Sequence, residues 1–369
     1  MSGPPITVLD VLRTLEKRAP LDLAESYDNV GLLLGSPSMP VQTVICALEL
    51  NEKVLAEATD RNAELIVCHH PCIFKPLKKI NPDESAGHLL QQLIKRDIAC
   101  IAMHTNWDRV AGGTSYYMAQ RLGLMHRRTL APETGRLVRL SLTTPQETFL
   151  SIREALSTSV QPISLKYAGG WMSWPVHEGF TPLPGSQPRQ GHIHQPEISE
   201  TLFLTVIVKE TDLANALSAV RRIHPFEEFW YEVTALDNAT ETVGYGCVGE
   251  WPEPLEWAEA MAKVKDVFKC TQIRCAPPPR GPVQRVALCG GSGAGLYSYA
   301  RKAGADLYLT ADVKYHDFAE ADPRTLLVDI GHYESEFLVA EQFAEILQEA
   351  WPDSLTVHWI HPGPPVLYF

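Results

Sequence analysis

The chain has 369 residues, enough for two domains or for one domain carrying a large insertion. Its 32 basic and 44 acidic residues give a formal net charge of −12, which argues against a dedicated nucleic-acid binder, whose affinity rests on phosphate contacts. The polar amino terminus does not read as a signal segment, and no apolar run approaches the ~18 residues of a membrane span. The eight cysteines contain no CxxC pair, and several sit in apolar runs, so the expected setting is the cytoplasm with thiols reduced.

In chain order, Leu9, Leu12 and Leu15 recur at a spacing that predicts a helix over 7–19, with Thr7 and Asp10 as a capping box. A turn and short strand follow over 25–35, a strand over 44–48 and a helix over 52–61. Leu65-Ile-Val-Cys68 reads as a buried strand that runs into His69-His70-Pro71. Neighbouring side chains in a continuing strand face opposite ways, but Pro71 ends the ladder and lets both imidazoles turn toward one cavity. A helix over 85–95 leads to a strand over 98–103, which ends in His104-Thr-Asn-Trp-Asp108; a helix over 114–123 follows, with Thr114 as its N-cap. This alternation predicts an α/β domain with a mainly parallel sheet.

The rhythm changes between about 136 and 236. A strand over 137–142 and a helix over 148–157 precede some forty residues dense in Gly, Pro, Trp and His. A strand over 202–208, a helix over 213–223 and a strand over 229–234 complete what reads as a small ferredoxin-like α+β insert with a long hairpin. The α/β pattern returns near Gly244, with a helix over 257–267 and a stiff linker over 276–282. A strand over 286–289 enters Gly290-Gly-Ser-Gly-Ala-Gly295; strands over 307–310 and 326–329, a helix over 334–351 and a closing strand over 356–360 follow. The expected layout is a discontinuous α/β domain, 1–130 and 237–369, interrupted by the insert, 131–236.

Polar groups collect just past four strand ends: His69/His70, His104/Asp108, Asp312/His316 and His332/Glu336. Ligands bind at the carboxyl ends of strands in open α/β sheets. His332 and Glu336, four apart at a helix start, share a face. Three imidazoles and two carboxylates drawn from this set suit Zn²⁺, Mn²⁺ or Fe²⁺, and five such ligands exceed the needs of one tetrahedral ion. Thiolate ligation by Cys68 and Cys72 is the alternative donor set. The glycine run is either a phosphate nest or a tight strand-to-helix turn, and it lacks the Walker lysine. His224-Pro-Phe-Glu-Glu228 is ligand-rich but reads as a surface turn of the insert, and the Trp171/Trp174 segment reads as packing or interface.

These motifs, with Tyr27-Asp-Asn-Val-Gly31, Leu309-Thr-Ala-Asp-Val-Lys-Tyr-His316 and Gly331-His-Tyr-Glu-Ser-Glu336, resemble those of the NIF-three-like family of GTP cyclohydrolase 1 type 2 homologues nearly end to end. The insert resembles the PII-like or CutA-like domain of the longer members. The resemblance implies two divalent ions per subunit, zinc first with manganese or iron as alternatives. It implies His69, His70, Asp108, His332 and Glu336 as ligands, with Glu336 shared. His104 and His316 match positions suited to proton transfer. It implies a homo-hexamer whose sites face an internal cavity, acting on a small-molecule substrate such as a nucleotide. A phosphoester hydrolase and a non-enzymatic metal-binding scaffold are the alternative functions. Glu49 stands where an aspartate is usual, Trp107 where an aliphatic residue is, and Ala311 where a glycine is, which puts inherited substrate preference in question.

Overall fold

The computed structural model describes residues 5–134, 137–164, 167–238, 240, 242–277 and 281–366. The chain forms two compact units: Met1–Ala131 with Gly244–Phe369, and Pro132–Val243. The first unit resumes at Gly244 rather than at 237 because the strand Gly244–Leu255 begins there and pairs antiparallel with Val283–Leu288.

The first unit carries two sheets. In one, Ala99–Ala102, Leu65–Cys68, Thr43–Ala47 and Thr356–Trp359 lie side by side and parallel, with Gly31–Leu34 antiparallel on the edge. The residues of Leu65–Cys68 and Ala99–Ala102 are buried throughout, as strands covered on both faces must be. The helix Val8–Glu16 begins at the expected capping box, where Thr7 Oγ1 accepts from the Asp10 amide and Asp10 accepts from the Thr7 amide.

The second sheet departs from the parallel expectation. Val283–Leu288, Leu307–Thr310 and Leu326–Asp329 are parallel, but Arg274–Cys275 and Gly244–Leu255 flank them antiparallel, and Met125–Pro132 continues the sheet beyond Gly244–Leu255. Met125–Pro132 contains Arg127 and Arg128 among exposed positions, so it has no apolar alternation to announce a strand. The helix Thr114–Arg121 is capped by the Gly113 backbone rather than by the Thr114 side chain. A Cβ at Gly113 would meet the Trp107 carbonyl at 1.8 Å, so that close approach selects glycine there. The expected helix over 334–351 is two, His332–Glu336 and Leu338–Ala350, divided at Phe337. The linker prolines at 278–279 lie outside the described residues.

The second unit runs strand, helix, strand, strand, helix, strand: Leu137–Thr144, Phe149–Ser159, Trp171–Phe180, Glu197–Lys209, Leu213–Arg221 and Tyr231–Leu236. Its four strands pair antiparallel, with Leu137–Thr144 and Glu197–Lys209 central and the other two on the edges, which is the ferredoxin-like arrangement. The edge strand Trp171–Phe180 lies within the Gly-, Pro-, Trp- and His-dense stretch, where the sequence predicts no strand. Pro175 and Gly179 fall within it and none of its residues is buried, so burial leaves no pattern; an edge position is where proline is tolerated. Val138, Leu140 and Leu142 pack with Leu204, Val206 and Val208 and with Ile152, Leu156 and Val220 of the two helices. Among the described residues, no helix is long and apolar enough to cross a membrane.

Candidate metal centre

His69 and His70 follow Leu65–Cys68 directly, and their amides still bond to the neighbouring strand's exit, His70 N donating to Leu48 O at 2.8 Å. The bend after Cys68 removes the alternation, so the two rings lie 5.4 Å apart at 36° instead of on opposite faces. One ring nitrogen from each of His69, His70 and His104 lies within 4.8 Å of the others. His70, His332 and Glu336 form a second such group, so His70 belongs to both.

His69 is fully buried, and its Nδ1–H donates to the Met103 carbonyl at 2.7 Å. That bond fixes the tautomer and leaves a lone pair on Nε2. Burial pushes the His69 pKa down to about 3, so the ring is neutral. Nε2 then faces Asp108 Oδ1 at 3.4 Å, and both atoms are buried without a hydrogen bond. Two acceptors in dry contact repel unless a cation or proton lies between them. Burial and the nearby Glu336 charge raise Asp108 well above the usual carboxylate range. These orphaned atoms fit a metal ion.

Glu336, 4% exposed, presents one oxygen to two imidazoles: Oε2 is 3.0 Å from His70 Nε2 and 3.0 Å from His332 Nε2. Against the cost of burial, these two bonds hold its carboxyl well below the ordinary range. His332 is raised to about 9, chiefly by its bond to Glu336 and further by Asp312 Oδ2 at 2.7 Å from Nδ1. Burial would lower His70, but its bond to Glu336 and the charge of Glu49, whose Oε2 is 3.7 Å from Nδ1, raise it to about 10. Without metal, a shared carboxylate therefore holds two imidazolium rings.

Backbone geometry makes room for that carboxylate. Gly291 has φ +60°, and a Cβ there would stand 2.3 Å from Glu336 Oε1. Its amide donates to Ser335 Oγ at 2.9 Å, while Gly293 N donates to Thr310 Oγ1 at 2.9 Å and Gly290 N to Ser115 Oγ at 3.3 Å. The amides of Gly290, Gly291 and Gly293 are thus spent on internal bonds, and the turn they hold admits Glu336. Asp108 ends the short helix Thr105–Asp108, which buried Trp107 anchors: its Nε1 donates to Gln342 Oε1 at 2.8 Å and its ring meets Phe343 at 4.8 Å. That anchor ties the Asp108 helix to Leu338–Ala350, the helix just past Glu336. The unusual Trp107 is a packing residue.

His104 Nδ1 lies 2.8 Å from Asp28 Oδ1, and the other Asp28 oxygen accepts from the Thr105 amide at 3.0 Å and from the Thr105 hydroxyl. Although burial opposes it, these bonds keep Asp28 strongly acidic and ionised. Asp28 is a site residue that sequence reasoning misses: it stands in a turn at 25–30, with no spacing signal linking it to His104. His316 is exposed on Tyr315–Ala319 with the Tyr315 ring 5.4 Å away, and among the described residues it belongs to neither group of converging donors. Cys68 and Cys72 pack with Cys100 in the apolar cluster beneath the strands, and Cys72 is raised by its neighbour Cys100 and by burial, so Cys72 is held as the thiol.

The family described as Duf34/NIF3 (NGG1p interacting factor 3) matches residues 6–362. A protein of Halalkalibacterium halodurans named GTP cyclohydrolase 1 type 2 homolog is 32% identical over 352 residues, spanning 94% of this chain and 95% of its own. One of the same name from Bacillus subtilis is 32% identical over 326 residues, 88% of this chain and 87% of its own. The crystal structure of a Bacillus cereus protein related to NIF3 superposes with TM-score 0.85 at 29% identity, covering 99% of this chain and 100% of that one.

Proposed function

The chain belongs to the Duf34/NIF3 family, and we propose that it is a dinuclear-metal hydrolase acting on a nucleotide-like substrate. One observation carries the reading: His69 Nε2 and Asp108 Oδ1 are buried 3.4 Å apart without a hydrogen bond, beside a carboxylate shared by His70 and His332. His69, His70, Asp108, His332 and Glu336 would hold two divalent ions, zinc first, manganese or iron otherwise. When bound, such a pair lowers the pKa of a water and offsets developing negative charge.

The chain's own residues supply the proton path. With Nδ1 committed to Asp28, His104 offers Nε2 as base, and ionised Asp28 steadies the imidazolium formed on proton uptake. For ring opening of a guanine nucleotide, water adds to the carbon between the two imidazole nitrogens. One proton of the water goes to the imine nitrogen; His104 relays the other to the second nitrogen as its bond to that carbon breaks, leaving a formamide. The relatives' printed name and the donor set support this chemistry. We further propose that the ferredoxin-like insert is of the PII/CutA kind, supported by its strand order, and that six copies assemble in the cytoplasm as a ring.

The test is turnover of a nucleotide and phosphoester panel by metal-reconstituted protein, with Asp108→Ala as control. Turnover confined to guanine nucleotides supports ring opening, and turnover of phosphoesters redirects the reading to in-line displacement. No turnover above the control with any metal leaves a metal-binding scaffold.

A further inference from the structure

Two aromatic side chains stand at the edge of the site and take no part in the chemistry above. Tyr27 is 66% exposed and Phe74 is 42% exposed. Their rings are 6.5 Å apart at 66°, and Phe74 stands edge-on to His104 at 6.2 Å. Both are held by the residues next to them. Asp28, beside Tyr27, is fixed by His104 and Thr105; Asn29 Nδ2 donates at 2.6 Å to the carbonyl of Ile73, beside Phe74. A scattered exposed aromatic needs no explanation. Two of them anchored through polar bonds beside three converging histidines are a preorganised surface.

We propose that Tyr27 and Phe74 are the binding rim for a planar nitrogen heterocycle, the base of a nucleotide-like substrate, seated against Phe74 with its reacting edge toward His104. This rests on the hydrolase reading and narrows its substrate class. Any base has a π-face, so stacking on aromatic side chains gives affinity with little demand on hydrogen-bond pattern. An aliphatic phosphoester gains little from such a rim. Exposed Lys75 follows Phe74, and exposed Lys78 lies on the same loop, cations suited to an anionic substituent in a chain of net charge −12.

The test is calorimetric binding of guanosine monophosphate to the metal-loaded protein, with ribose 5-phosphate as the non-aromatic probe and metal content measured alongside. Tyr27→Ala and Phe74→Ala should each weaken guanosine monophosphate about tenfold, the loss of one stacking contact. Phe74→Tyr should restore affinity, while ribose 5-phosphate binding and metal content stay unchanged throughout. Equal affinity for guanosine monophosphate in wild type and both alanine variants overturns the proposal. So does a metal-replete wild type that prefers neither probe, or alanine variants that change the oligomeric state without changing ligand affinity, since the rim is then an interface between copies. Failure of the hydrolase reading shows separately, as a wild type that takes up no metal.

Discussion

His69 and His224 show how differently the two units use a histidine. His224 opens His224-Pro-Phe-Glu-Glu228, a run as rich in donors as any in the chain. Yet its Nε2–H donates to the Thr143 carbonyl at 2.9 Å, its Nδ1 accepts from the Phe226 amide at 3.3 Å, and its ring stacks on Phe229 at 4.4 Å. Both nitrogens are used within the insert. His69 uses only Nδ1, and its buried Nε2 faces a carboxylate oxygen that is likewise unpartnered. Donor-rich sequence does not make a site; leftover bonding capacity that converges in a dry place does.

The widest separation between the two units should appear on metal addition. A metal that binds only the folded state, at a thousandfold excess over its Kd, stabilises by about 4 kcal/mol. The melting temperature of stripped wild type should therefore rise by several degrees. His332→Ala should lose that rise and His224→Ala should keep it. Because the sheets are packed by apolar strands, stripped wild type should still melt cooperatively.

Acid should come next. In the metal-free protein the unfolded His69 ring takes a proton below about 6.5, whereas the buried ring resists until about 3. Between those values the unfolded chain binds more protons, so this contribution is present above about 6.5 and lost as pH falls toward 3. His70 has the opposite sign. Its pairing with Glu336 contributes below about 6.5 and is lost as pH rises through about 10. Melting temperature against pH should flatten on the acid side in His69→Gln. The apparent metal affinity should rise with pH across neutrality, because binding displaces protons from His70 and His332.

Smaller effects contrast the glycines. Gly291→Ala sets a Cβ against Glu336 at a positive φ and should cost about 1–3 kcal/mol along with metal affinity. Gly170→Ala in the insert meets nothing within 4 Å and should change neither. Last, His224→Ala should lower stability by about 1 kcal/mol through its lost bonds while metal binding holds.

What the sequence disclosed follows the same division. Leu65–Cys68, Leu307–Thr310 and Leu326–Asp329 are buried apolar runs that end abruptly in polar groups, so both the strands and the polar clusters at their ends are legible. Trp171–Phe180 and Met125–Pro132 are mostly exposed, and without burial no periodicity marks them. The distant partners of residues in and around the site are harder still. Asp28 meets His104 across 76 residues, and Gln342 meets Trp107 across 235, contacts created by packing with no local spacing to betray them. His316 stands in a motif between Asp108 and His332 and reads with them, yet it is exposed on Tyr315–Ala319 and, among the described residues, joins neither group of converging donors.

The most direct test is a count of metal per chain by elemental analysis of protein purified without chelator. Wild type and His224→Ala should each carry up to two divalent transition-metal ions. His70→Ala and Glu336→Ala should lose most of them, and Cys68→Ser should not. Retention of full metal content by both His70→Ala and Glu336→Ala would contradict a centre built on a carboxylate shared between His70 and His332.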